Sequence, residues 1–433
     1  MVYMKIGTKA GIIIVSAGIA VASFPNIDIS LVEGAPQVTM QVSNTFAAGT
    51  SFKDVKASHW AKLSIESAVA KGYFKGYADG TFRPSAEVTK EEFAALLSRV
   101  STNADSGTKV VLPGTAGRWS EAEISLAVAK GFINPQRYVN GFNPQTALTR
   151  IDMIRWMVAG LSVTDADYGQ AVQDMADTVV PVAEFYKGLI NRDDKGIVAL
   201  AVGTGLVAGY EDGSFGPNDK TSRAEVAVIL LRLEQIQKKK ASDFQVVKEL
   251  REIGLTGTNV ASMGFAINTQ GANKPFTVLR EAIHPLTYGY GTTRVNRLIL
   301  VDPLKLEHPL FKMFIGSKFS TPVDPEYFLA FTEMETTFTK TGIDSFIHFK
   351  ALANLQAANG SGFDGISRKN YAIKTLPTYS NGNGDYNAFF PKDKTQVYWQ
   401  VISARRFYKI AGYSGIDIVA GGVRFWAKAP VGE

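Results

Sequence analysis

A short phrase recurs three times in the first half of the chain, and recurrence constrains architecture more tightly than any single residue can. It reads Tyr77-Ala78-Asp79-Gly80-Thr81-Phe82-Arg83-Pro84, then Tyr138-Val139-Asn140-Gly141-Phe142-Asn143-Pro144, then Tyr210-Glu211-Asp212-Gly213-Ser214-Phe215-Gly216-Pro217. Each copy leads to a hydroxyl residue and a cation: Thr89-Lys90, Thr149-Arg150 and Ser222-Arg223. A unit repeated every 60 to 75 residues, roughly, buries its apolar face only by stacking on its neighbours.

Each unit reads as helix, loop, helix. In the first, His59 to Lys71 carries an apolar stripe closed by Gly72, and Thr89 to Val100 opens with a Thr89/Glu92 capping box. The second uses Trp119 to Lys130 and Thr149 to Leu161; the third uses Ile197 to Thr204 and Ser222 to Leu233. The Asp-Gly pairs supply the φ > 0 turn position, and the following proline delays the next helix. Six short helices packing into one bundle is the expectation.

Upstream, Lys5 and Lys9 precede an apolar run ending at Ala20-Val21-Ala22, the pattern of a cleavable secretory signal. The chain has no cysteine and four histidines, which excludes disulfides, thiolate metal sites and cysteine nucleophiles. Its formal net charge of +6 forms no basic stripe of the kind that binds nucleic acid.

Glu234 to Gly254 reads as a charged helix with Lys238-Lys239-Lys240 exposed. Beyond it, Val260–Ile267, Val295–Val301, Tyr327–Thr337, Val397–Arg405 and Val423–Ala427 are rich in β-branched and aromatic residues, with turns such as Ser380-Asn381-Gly382-Asn383-Gly384-Asp385. The predicted class is α+β and multidomain, an all-α bundle followed by a mainly β, sandwich-like part. The division is a signal peptide over 1–22, a spacer over 23–49, repeats over 50–104, 105–165 and 166–235, a helical linker over 236–254, and a β-rich part over 255–433.

The repeats resemble S-layer homology (SLH) domains. The resemblance is carried by Phe52-Lys53-Asp54-Val55 with His59-Trp60-Ala61, by Gly76 to Pro84 with Thr89-Lys90-Glu91-Glu92-Phe93, and by Gly209 to Phe215 with Ser222-Arg223-Ala224-Glu225. It covers residues 50–235 and leaves the β-rich part unassigned. It implies an exported cell-surface protein in which three modules form a pseudo-three-fold unit. Grooves between the modules would bind a pyruvylated secondary cell-wall polysaccharide of the peptidoglycan-associated wall.

The residues supply a physical reason of their own. Lys90, Arg150 and Arg223 stand at the first position of a helix, where the macrodipole disfavours a cation. Held beside free helix N–H groups, each would make a site for a carboxylate. Arginine can grip that group bidentately, so Arg150 and Arg223 are the stronger candidates and Lys90 the weaker. On this reading Arg223→Ala leaves stability nearly unchanged, while Ser222→Ala costs about 1 kcal/mol. Asp79, Gly80, Asp212 and Gly213 are explained equally by turn geometry and by the groove that the resemblance implies they line. Trp60 and Trp119 fit a core or a sugar platform alike, and Asp54 joins the set through the motif match.

Other readings are a wall-attached enzyme, an outer-membrane protein tethered by its repeats, and a lattice or filament subunit. Glu281, Glu307, Glu326, Glu333 and Glu335 single out no acid pair for glycoside hydrolysis, and no Gly-x-Ser-x-Gly elbow occurs. No catalytic residue or cofactor is assigned. Asn191-Arg192-Asp193-Asp194-Lys195 lacks the closing acid of a calcium loop, although calcium at the Asp/Asn turns of the β-rich part stays open. Tyr288-Gly289-Tyr290-Gly291 and the aromatic run from Tyr379 to Phe390 are candidates for self-association.

Overall fold

The computed structural model describes residues 51–210, 212–315, 327–352, 371–377, 385–405, 415–420 and 422–430. The expected signal peptide and spacer, and residues 380–384 of the Asn/Gly turn, lie outside the described residues. No helix among the described residues is long and apolar enough to cross a membrane.

Each repeat contributes its two helices. They are α1 (Lys62–Ala70) and α2 (Lys90–Val100), then α3 (Glu121–Ala129) and α4 (Arg150–Thr164). Two unexpected helices follow, α5 (Ala166–Asp174) and α6 (Ala183–Tyr186), before α7 (Lys195–Gly203) and α8 (Arg223–Ile236) complete the third pair. The leading helices end on Gly72, Gly131 and Gly205, at φ +74, +80 and +71, the left-handed C′ geometry that needs no Cβ.

The second helices α2, α4 and α8 share one starting device. The hydroxyls of Thr89, Thr149 and Ser222 accept from the N–H groups of Glu92, Asp152 and Glu225. Just upstream the backbone closes a ring of three bonds: Val88 N–H to Thr221 at 3.0 Å, Thr221 N–H to Leu148 at 3.1 Å, and Leu148 N–H to Val88 at 2.8 Å. Short segments that would be marginal alone are thereby tied into one nucleus, around which Phe93, Leu97, Met153, Trp156, Val226 and Leu230 are buried.

The expected charged helix over Glu234 to Gly254 is interrupted. α8 ends at Ile236, and α9 (Gln245–Thr256) starts after a short 3-10 turn at Ala241–Asp243. α9 is also no bare linker, because it buries Val247, Leu250 and Ile253 in the same core as the repeats. Its alternation of apolar and charged residues makes one face fit for that core and leaves the other in water.

The C-terminal part is mixed, which corrects the mainly β expectation. β1 (Ala266–Asn268), α10 (Phe276–Glu281), β2 (His284–Pro285), β3 (Gly291–Val301), α11 (Pro309–Phe314) and β4 (Tyr327–Phe338) are followed by α12 (Ser345–Ala351), α13 (Tyr386–Phe389), β5 (Thr395–Arg405), β6 (Gly415–Ala420) and β7 (Val423–Lys428). The strands form two antiparallel sheets, ordered β2-β3-β4-β5 and β1-β7-β6. The strand expected over Val260–Ile267 is mostly turn: Met263, Gly264 and Phe265 donate back to Asn259, Ala261 and Val260. β6 was not foreseen.

Strand alternation explains how the larger sheet is held. Phe331, Ile299, Val301 and Trp399 point into the core of the repeats, whereas Ala330, Met334, Leu298 and Tyr398 point into a second core with Ile418 and Phe425 of the smaller sheet. Repeats and sheet therefore share a continuous apolar interface.

Candidate functional site

The helix N–H groups at the three cations are not free, which corrects the premise of the carboxylate sites. Lys90 and Glu91 donate to Thr146 and Pro144, Arg150 and Ile151 to Asp219 and Pro217, and Arg223 and Ala224 to Ala86 and Pro84, all near 3.0 Å. Each helix start is capped by the loop of the next repeat in the cycle.

The arginines are buried as well. Arg150, 5% exposed, donates from Nε to the Phe215 carbonyl at 2.9 Å and from Nη2 to Ala208 at 3.0 Å. Arg223, 8% exposed, donates to Phe82 and Lys75, both at 2.9 Å. Both lie over loop aromatics, Arg150 over Tyr210 and Phe215 and Arg223 over Phe74, Tyr77 and Phe82, at 4.7 to 5.1 Å from the ring centres. A guanidinium offers donors in a fixed fork that spans two separated carbonyls; an ammonium's three donors share one nitrogen and reach both only if the carbonyls converge on it. Lys90 instead reaches Asp152 at 3.4 Å and lies 5.6 Å from the Tyr138 ring, with more of its side chain in solvent than Arg150 keeps.

Asp54 accepts from the N–H groups of Phe82 and Arg83 at 2.9 and 2.7 Å, holding the first loop against its own repeat. Burial works to raise its pKa, but those two bonds outweigh it and hold the carboxyl below its ordinary value. In the third repeat Glu184 does the same for Phe215 and Gly216. Sequence reading missed it because Glu184 stands in a segment with no motif match. In the second repeat a backbone carbonyl, that of Pro113, takes the Phe142 N–H.

Trp60 and Trp119 are 46% and 61% exposed, so neither is a core residue. The base of Trp119 is fixed: Glu91, buried at the start of α2, takes both Arg118 nitrogens at 2.9 and 3.0 Å and the Ser120 hydroxyl at 2.6 Å, and hydrogen-bonds Trp119 itself. The Arg118 hydrogen bond chiefly holds the Glu91 carboxyl below its ordinary value, against the upward push of burial. Because Lys90 precedes Glu91, a cation and an exposed indole stand at one helix start. Glu91 was visible only as part of the repeat motif and Arg118 only as surface charge; neither signalled their pairing.

The two Asp-Gly turns are built alike. Asp79 accepts from the Thr81 N–H and hydroxyl at 3.0 and 2.6 Å and from Arg83 at 3.0 Å, and these bonds bring its pKa to about 2. Asp212 accepts from Ser214 in the same way at 2.9 and 2.6 Å. Gly80 and Gly213 take φ +79 and +82, which only glycine adopts readily.

Beside the second loop, a cleft of about 400 Å³ is lined by Asn134, Arg137, Tyr138, Asp152, Arg155 and Gln173 among others. Arg155 crosses it to grip Asp194 and Asp152, so the Asp193-Asp194 stretch of the rejected calcium loop has a protein cation as partner. Among the described residues no group of three or more His, Cys, Asp or Glu side chains is placed to hold a metal ion.

Comparison with known proteins bears on the same repeats. The model of the S-layer homology domain matches residues 51–94 and 191–227. Relatives include S-layer protein EA1 of Bacillus anthracis, 26% identical over 225 residues covering 51% of this chain and 25% of that protein. An S-layer protein of Bacillus licheniformis is 27% identical over 246 residues, 55% of this chain and 27% of its own length. The cellulosome-anchoring protein of Acetivibrio thermocellus is 33% identical over 111 residues, 24% of each chain. The chain thus spans about a quarter of the length of these relatives. It carries the S-layer homology domain, matched in its first and third repeats, as a secreted, cell-wall-associated surface protein does.

Proposed function

We propose that the repeats anchor this protein non-covalently to an anionic, pyruvylated secondary cell-wall polysaccharide and hold its C-terminal sheets at the cell surface for lattice assembly or adhesion. We read the closed ring of backbone bonds as the centre of a pseudo-three-fold unit, and the two sheets sharing one core as a sandwich.

The observation that carries this reading is Trp119. An indole left in solvent, with Glu91, Arg118 and Ser120 fixing its base, is a preformed platform for the apolar face of a sugar ring. Lys90, one residue before Glu91, and Arg118, next to Trp119 in sequence, are then the cations at that helix start for a ketal carboxylate. Trp60 offers a second platform in the first repeat, whose Asp79-Gly80 loop Asp54 holds in place. Arg150 and Arg223 act as positioning residues that fasten the Phe215 and Phe82 loops, while Asp212 and Gly213 shape the third turn.

The test is a pull-down of the full chain with purified wall sacculi, before and after chemical removal of pyruvyl ketals. Retention on native sacculi and its loss on treated ones is the expected result. Equal retention on both would sink the carboxylate contact, and none on either would sink wall anchoring.

A further inference from the structure

Equivalent turns in the first and third repeats face different neighbours. A Cβ on Gly80 would meet the stem of Lys53, a residue of the same repeat, at 3.3 Å. A Cβ on Gly213 would fall 2.4 Å from the ring of Tyr371, which comes from the C-terminal part. Tyr371 is 1% exposed, donates its hydroxyl to the Pro181 carbonyl at 3.4 Å, and meets Tyr186 edge-on with ring centres 6.1 Å apart. Four residues on, Thr375 bridges to Trp399 of β5, so the ring is tied to the larger sheet.

Two further observations set the third repeat apart. Eight residues before the Ala-Val pair of each leading helix the first two repeats have Trp60 and Trp119, but the third has Asp193. Its neighbour Asp194 is buried under Arg155. Alongside, Asp177 receives Arg280 and Arg297 from the C-terminal part and stands 3.9 Å from Lys195. Among the described residues no tryptophan matches Trp60 and Trp119 here, and an aromatic ring and a charge cluster from the C-terminal part are seated instead.

We propose that the third repeat is committed to holding the C-terminal sheets, with Tyr371 seated on its Gly213 turn, and that wall polysaccharide is taken by repeats one and two alone. The second half rests on the wall-binding reading above; the first does not. Specialisation of this kind explains why the repeats share a fold while their exposed faces differ.

The experiment uses the full chain with Tyr371→Ala, Tyr371→Phe and the double variant Trp60→Ala/Trp119→Ala. Amide exchange over residues 209–216, thermal melting, and calorimetric titration with purified wall-polysaccharide fragments are measured for each. Tyr371→Ala is expected to speed exchange at Gly213 and Ser214 and lower the melting temperature while wall affinity stays within about twofold of the parent. Tyr371→Phe keeps the ring and should keep the protection; if the alanine variant does not fold, Tyr371→Leu serves the same measurements. The double tryptophan variant should lose about tenfold or more in affinity. Unchanged exchange in Tyr371→Ala would overturn the docking, and a tenfold loss of wall affinity in it would overturn the division of labour. Full affinity in the tryptophan variant, with the exchange result as expected, would sink the wall reading and leave the docking standing.

Discussion

Arg223, at the start of the third repeat's second helix, donates its Nε–H to the carbonyl oxygen of Phe82 in the first repeat, 2.9 Å away and 141 residues distant in sequence. The same guanidinium takes the Lys75 carbonyl, so one side chain closes the cycle of repeats. Arg223→Ala removes both bonds and leaves two carbonyls to find new partners, and should cost about 3 kcal/mol, measured by denaturant unfolding. Arg223→Lys should recover less than half of that, since the two carbonyls are met by separate nitrogens of the guanidinium and one ammonium lacks that fixed fork. This reverses the sequence-based expectation that Arg223→Ala leaves stability nearly unchanged.

Glu184 and Asp54 perform one task under different burial. Glu184→Ala strands the Phe215 and Gly216 N–H groups in a buried setting and should cost about 2 kcal/mol; Asp54→Ala, with water at hand for the Phe82 and Arg83 N–H groups, about 1 kcal/mol. Paired unfolding curves check the order, and a larger effect at Asp54 would contradict it.

His348 makes the C-terminal part acid-sensitive. Burial pushes its pKa down to about 3, it shares a hydrogen bond with the Tyr398 hydroxyl at 3.0 Å, and it stacks on Phe390. The unfolded chain binds a proton at His348 near pH 6.5 and the folded one only near 3, so stability falls as pH drops through that window. The slope from this one group approaches about 1.4 kcal/mol per pH unit. Unfolding curves of His348→Phe between pH 6.5 and 4 should be flatter than those of the parent by up to one proton.

Asp177 couples the repeats to the sheets electrostatically. Burial raises its pKa, but the Arg280 hydrogen bond and the charges of Arg297 and Lys195 outweigh this and keep the carboxyl below its ordinary 3.8. The stability it contributes is therefore present above that value and lost as pH falls through the depressed one. Asp177→Asn should lower the melting temperature at pH 7, and by less in 1 M salt, because half of the carboxylate's surface faces water. An effect that does not change with salt would show the contact to be packing alone.

Lys195 sits in the same cluster with its pKa brought down to about 8, by burial first and then by Arg297. With a pKa near 8, more of Lys195 is neutral at pH 8.5 than of an ordinary surface lysine. Amine acylation as a function of pH, read by peptide mapping, should level off at Lys195 near pH 8, while at surface lysines it keeps rising toward about pH 10.

The repeat, the helix starts and the capping residues were legible because each is a local event. Thr89, Thr149 and Ser222 cap within a turn, and Gly72, Gly131 and Gly205 end helices through their own backbone. Long strands such as β3, β4 and β5 were legible for the same reason, their composition being their own. β6 and the short helices α10 to α13 were not, since stretches of four to seven residues carry little periodicity; β7, equally short, was the exception.

What the sequence determined by itself was therefore a series of repeated helix-loop-helix units with a strand-bearing part behind it, and a likeness confined to the repeats. What only the tertiary structure decided was the use of each side chain. A cation at a helix start looks like a ligand site until distant carbonyls, those of Phe82, Lys75, Phe215 and Ala208, are found to occupy it. An Asp-Gly turn looks the same at Gly80 and Gly213 until Tyr371, from far along the chain, takes the space beside the second. Helix capping and turn chemistry act over a few residues and are written locally; burial and partner choice depend on which segments packing brings together, and no local window contains that information.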